Sequence, residues 1–94
     1  MTINIRKTKY KVNIIDKPND YIWFGNTNAF KKEINLNKYL IEKHNIQHPK
    51  DREEWKSVYI HELIHSIAYE YNLELNDNEV IIEILANEIY ENYR

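Results

Sequence analysis

The chain has 94 residues, a formal net charge of −2 and no cysteine. That length suits one modest core and excludes two lobes with a deep cleft between them. The lack of thiols excludes disulfide scaffolds, thiolate metal sites and cysteine nucleophiles, and leaves histidine and carboxylate as transition-metal donors. With 43% hydrophobic and 30% charged residues, a single folded domain over residues 1–94 is expected. No apolar run reaches the length of a signal peptide or a membrane span, so the expectation is a cytoplasmic protein with no membrane partner.

In "MTINIRKTKYKVNIID", Ile3 and Ile5, then Tyr10, Val12 and Ile14, alternate with polar residues as in a half-buried strand or hairpin. "KPND" reads as a turn. Tyr21, Trp23 and Phe24 lead to the only glycine, Gly25, beside Asn26 and Asn28, and alternation resumes through Ile34 and Leu36. Three or four strands in a small meander are expected. Arg6, Lys7, Lys9 and Lys11 give this half a lysine excess that solvated strand edges explain, so no nucleic-acid partner is expected.

"EKHNIQHPKD" reads as a polar connection, after which the spacing becomes helical. Pro49 suits a first turn and Asp51 with Glu54 resembles a capping box, which predicts a helix starting near residues 49–52. Its apolar stripe is Ile60, Leu63, Ile64, Ile67, Ala68 and Tyr71. "NLELNDN" ends that helix, and Asn76 or Asp77 can cap a second one with the stripe Ile81, Ile82, Leu85, Ala86, Ile89 and Tyr93. The predicted fold is α+β: a small antiparallel or mixed sheet followed by a two-helix hairpin packed on it.

The first of these helices carries "HELIH", residues 61–65. Residues i and i+4 stand one above the other, so His61 and His65 can address one ion while Glu62 projects about a quarter turn away. This arrangement suits zinc hydrolysis, in which three protein ligands leave a position for an acidified water and a glutamate takes its proton. Glu62 is the candidate general base, and Zn2+ the expected cofactor.

For a third ligand the next helix offers Glu79 and Glu83, with Glu88 and Glu91 on its outer face. Glu79 stands three residues after Asn76, a capping-box position that gives it a structural role. About seven helical residues follow His65, so an antiparallel partner starting near Asn76 regains the level of the histidines at residue 83 or slightly beyond. Glu83 is also offset from its stripe in the same rotational sense as the histidines, and is the expected third ligand, with Glu79 as the alternative.

The stretch from "YIHELIHSIAYEYN" through "EVIIEILANEIYENY" resembles the small HExxH metallopeptidase-like proteins of phages and prophages, which are similar to the ImmA/IrrE metallopeptidases and gluzincin-like. The likeness covers both helices and extends loosely to "FGNTN" and "INLN". The run from Glu83 through Ala86 and Ile89 resembles the family's "ExxAxxF" pattern. The resemblance implies a zinc-dependent peptidase fold in which His61, His65 and Glu83 bind the metal and Glu62 is catalytic.

The expected activity is hydrolysis of a peptide or protein substrate. The alternative is a non-catalytic module in which zinc staples two helices and the chain binds another protein. His44 and His48, also four apart, read as loop histidines because Pro49 disfavours helical geometry before it. Tyr59, Tyr69 and Tyr90 fall near the helix seam, Tyr90 being the best placed to reach an oxyanion, but rim packing accounts for all three. Asn87 can orient Glu83 or simply be exposed, Trp23 and Trp55 read as core or rim aromatics, and the strand containing Ile34 and Leu36 offers an edge for an extended peptide.

Overall fold

The computed structural model describes residues 1–16, 23–50 and 54–93, with the main chain alone for Glu54, Asn76 and Tyr93. The expected "KPND" turn, Tyr21, and the Asp51–Glu54 capping pair lie outside the described residues and side chains. The order of elements is β1 (Thr2–Ile5), β2 (Thr8–Ile15), β3 (Gly25–Asn28), β4 (Glu33–Asn37), α1 (Lys38–Gln47), α2 (Glu54–Glu70), a 3-10 turn (Glu74–Asp77) and α3 (Glu79–Tyr93).

The strands form one mixed sheet in the order β1-β2-β4-β3. β1 and β2 pair antiparallel across a two-residue turn, Arg6-Lys7, in which both residues take positive φ, at 48° and 65°. That conformation suits a tight hairpin. β2 then pairs parallel with β4, Val12 opposite Ile34, and β3 pairs antiparallel with β4, Thr27 opposite Ile34. The expected meander is therefore corrected. β4 lies between β2 and β3, so β3 is an edge and the Ile34/Leu36 strand is enclosed on both sides.

A second correction concerns "EKHNIQHPKD", most of which belongs to the helix α1. Its only fully buried side chain is Ile41, so it has little apolar periodicity to betray it. His44 is in this helix and His48 is its C-cap, their ring centroids 4.7 Å apart, rather than both lying in a loop.

The layering also differs from a helical hairpin lying flat on a sheet. α2 is the middle layer, touching β3, β4 and α1 on one side and α3 on the other, whereas α3 packs on α2 and the 3-10 turn. Ile5, Tyr10, Val12, Ile34, Leu36, Ile41 and Val58 form the sheet-side core, and Ile60, Ile64, Ile82, Ala86 and Tyr90 form a separate core between α2 and α3. At about 100° per residue, Ile60, Ile64 and Ala68 lie roughly opposite Val58, Glu62 and Ser66. All six are buried, so α2 has two covered faces, and the expected stripe members Ile67 and Tyr71 are exposed.

α2 ends in a Schellman motif: Asn72 takes φ 54°, its N–H donates to the Tyr69 carbonyl, and Leu73 N–H donates to that of Ala68. The sheet secures this end. Arg6 donates to the Glu70 carbonyl at 2.8 Å, and the Glu70 carboxylate accepts from the buried Tyr10 hydroxyl at 2.6 Å and from Lys32 at 2.7 Å. Among the described residues no helix is long and apolar enough to cross a membrane.

Candidate metal centre

His61 and His65 lie on the lateral edge of α2, between its two covered faces, and so open into the groove bounded by β3 and α3. Their ring centroids are 5.0 Å apart. α3 begins one or two residues later than expected, with Asn78 rather than Asn76 or Asp77 as its N-cap, the side-chain Oδ1 accepting from Ile81 N–H at 3.2 Å. Glu79 is therefore the first residue of the helix, released from the capping-box role, and faces the histidines.

The Glu79 carboxylate spans the pair: Oε2 lies 3.1 Å from His61 Nε2 and Oε1 3.0 Å from His65 Nε2. Glu83, the residue expected to be the third ligand, lies one turn further on with Oε2 at 2.9 Å from His61 Nδ1. Level explains the difference. Only five helical residues follow His65 in α2, about 7.5 Å of rise, and the 3-10 turn alone has a contour of about 8 Å. The connection thus absorbs the return, and the first turn of α3 is already opposite the histidines.

Among the described residues, His61, His65 and Glu79 are the one group of three donors whose ligand atoms lie within 4.8 Å of one another. Two zinc ligands at about 2.1 Å in a tetrahedron are about 3.4 Å apart, close to the two separations given above. The hydrogen-bond count points the same way. His61 has a carboxylate oxygen at each ring nitrogen, and a neutral imidazole has one N–H to donate. A second proton or a cation at Nε2 satisfies the other carboxylate. The donor set can hold a metal ion.

Glu62 turns toward β3, at the wall of the same groove, and is only 8% exposed. The Thr27 hydroxyl donates to its Oε1 at 2.9 Å and lies 3.0 Å from its main-chain oxygen. Ser66, fully buried, donates to that same carbonyl at 3.0 Å. Burial pushes the Glu62 carboxyl above its ordinary value, with the bond from Thr27 and the two histidines opposing the rise.

Gly25 makes this close approach possible. A Cβ at that position would lie 2.6 Å from Val58 Cγ1 and 3.2 Å from Glu62 Cγ. A lone glycine within a strand is a sequence sign of such an approach, and it was the available signal for Thr27, which pattern reading did not single out.

His61, Glu62, His65 and Glu79 line an open cavity of about 540 Å³, with Thr27 and Tyr69 on its walls. Of the three tyrosines considered, Tyr69 is the one beside the site; Tyr90 is buried between α2 and α3, and Tyr59 packs on the sheet-side core. Trp23 also borders the cavity, while Trp55 packs on the sheet-side core. Comparison with models of known families, with curated proteins and with solved structures gives no match.

Proposed function

We propose that this chain is a zinc-dependent peptidase of minimal size, hydrolysing peptide bonds in a peptide or protein substrate, in keeping with its resemblance to the ImmA/IrrE metallopeptidases. The observation that carries the reading is the juxtaposition of a three-donor set with a buried carboxylate that lines the same cavity. His61, His65 and Glu79 hold the metal, and Glu83 replaces its expected ligand role with a supporting one. Its bond to Nδ1 keeps that proton in place and leaves Nε2 as the donor atom, the usual task of a carboxylate behind a ligating histidine.

Zinc in this position supplies a Lewis acid that acidifies water and polarises a carbonyl. The rest falls to the chain. Glu62 accepts a proton at its carboxylate and returns it to the leaving amine, and burial raises its basicity for that task. Thr27 limits rotation of the carboxylate. β3, as the outer strand bordering the cavity, offers its main chain to an extended substrate by strand addition.

Elemental analysis of the untagged protein tests the metal. One zinc per chain is expected, lost in His61→Ala/His65→Ala and in Glu79→Gln, and kept with lower affinity in Glu83→Gln. Absence of zinc from the native chain after equimolar supply sinks the reading. The same donors come from two helices, and this favours a second reading, a zinc staple without catalysis. Cleavage of an unstructured protein such as casein, abolished by Glu62→Gln with zinc retained, separates the two.

A further inference from the structure

His44 and His48 repeat, at the end of α1, the i, i+4 spacing of the two histidines in the cavity. Pro49 follows the pair and does not keep His44 out of the helix: His44 belongs to the last turn of α1, His48 is its C-cap, and His48 N–H donates to the His44 carbonyl at 2.8 Å. One helical turn of main chain therefore joins the two side chains. Their rings stand 4.7 Å apart, centroid to centroid, with a tilt of 34°, against 5.0 Å and 58° for His61 and His65.

These separations can be compared with what one ion requires. With metal–nitrogen bonds of about 2.1 Å and ring centres about 1.1 Å behind the donor atom, two imidazoles on one ion have centroids about 4.5 Å apart at a right angle and about 5.2 Å apart at the tetrahedral angle. His61 and His65 are nearer the tetrahedral value, and His44 and His48 nearer the right angle. Right-angle nitrogen donors suit Cu2+ and Ni2+, which favour square or tetragonal coordination, more than zinc.

The surroundings favour a cation as well. The last carbonyls of a helix lack helical partners and give its end partial negative charge, and both histidines stand at that end of α1. The Phe24 ring meets His44 edge-on, centroids 5.8 Å apart, and limits where that imidazole can turn. An imidazole that donates through one nitrogen still ligates through the other. We propose that His44 and His48 form a second metal site, which takes one divalent ion of the copper or nickel type through two imidazole nitrogens. Among the described residues no third histidine or carboxylate completes a donor group with them, and His48 is exposed, so water fills the remaining positions. The site shares no residue with the zinc donors and does not depend on them.

The test titrates the full untagged chain carrying His61→Ala/His65→Ala, which keeps the other pair from competing, with Cu2+, Ni2+ and Zn2+ separately; in the native chain the same site is read as an additional equivalent. One Cu2+ per chain at micromolar affinity is expected, with a tetragonal electron paramagnetic resonance spectrum showing nitrogen hyperfine structure. Ni2+ should follow and Zn2+ bind least. Adding His44→Ala/His48→Ala should weaken Cu2+ binding about 10²-fold or more, because a chelate becomes a set of independent contacts. His48→Gln, at an exposed C-cap, should do the same and serves as the second variant should the first unfold, with circular dichroism as the check.

Failure of Cu2+ to bind at micromolar concentration overturns the proposal. Unaltered binding in both folded variants means an adventitious ion only and overturns it too. Zinc held more tightly than nickel overturns the class of ion. One ion for every two chains, seen as a dimer in sedimentation, would place the donors on different copies and overturn the site within one chain.

Discussion

On its sheet side, α2 places Glu62 beneath β3 at 8% exposure, with Thr27 and Ser66 hydrogen-bonded around it; on its α3 side, the histidines meet the side chains of Glu79 and Glu83, which are 67% and 47% exposed. The first environment is maintained by close packing and needs no ion. The second sets two histidines of α2 against two carboxylates of α3, helices whose mutual core is small, so a cation there adds what packing does not supply. The difference separates two requirements of the proposed chemistry: a base that stays in place in the free protein, and a donor set whose integrity depends on how α3 sits.

Glu62→Gln should have the largest effect. Loss of general-base catalysis should lower peptide cleavage by about 10²–10⁴-fold, while the amide remains within reach of Thr27 and zinc stoichiometry is unchanged; substantial residual turnover would remove Glu62 from the chemistry.

Ile82→Ala attacks the other side. Ile82 is fully buried in the core between α2 and α3, so truncation should destabilise by about 2–5 kcal/mol in metal-free protein, read from urea unfolding. Zinc that binds only the folded state should raise the stability of the native and variant chains alike. No gain in either chain on adding zinc would mean that the ion does not hold the two helices together.

Gly25→Ala should cost about 1–3 kcal/mol, because the added methyl meets Val58 at 2.6 Å and β3 must move away from α2. Cleavage should fall while zinc affinity holds, sharpening the contrast between the two sides. Unchanged thermal stability would show that β3 is free to shift.

The smallest effect concerns acid. Hydrogen bonds from Lys32 and Tyr10 hold the Glu70 carboxyl below its ordinary value. A group with a lowered native pKa stabilises the fold at neutral pH, and that contribution is lost as pH falls from the ordinary glutamate range near about 4.3 downward. Glu70→Gln should therefore be less stable than the native chain at pH 7 and approach it as the solution is acidified; a constant difference across the titration would contradict this.

Periodicity in the sequence was enough for the α+β class, the strand-rich first half, and the helices that carry "HELIH" and "EVIIEILANEIY". It was misleading where a segment's environment departs from one buried face and one wet face. α1 was hidden because Ile41 alone anchors it, and α2 was read as one-sided because a helix buried on two opposite faces blurs its own stripe. Ile67 and Tyr71 look like core residues on a wheel and are exposed in the fold.

What the sequence determined by itself is therefore local: the i, i+4 spacing that brings His61 and His65 to one side, the glutamate next to the first of them, and the lone glycine that marks a close approach. These depend on helix and strand geometry, which a few neighbouring residues specify. Which carboxylate meets the histidines, Glu79 at the Nε2 atoms and Glu83 behind His61, was decided by tertiary structure. It depends on where the 3-10 turn returns the chain and on Asn78 starting α3, and a shift of one helical turn, about 5.4 Å, exchanges one glutamate for the other.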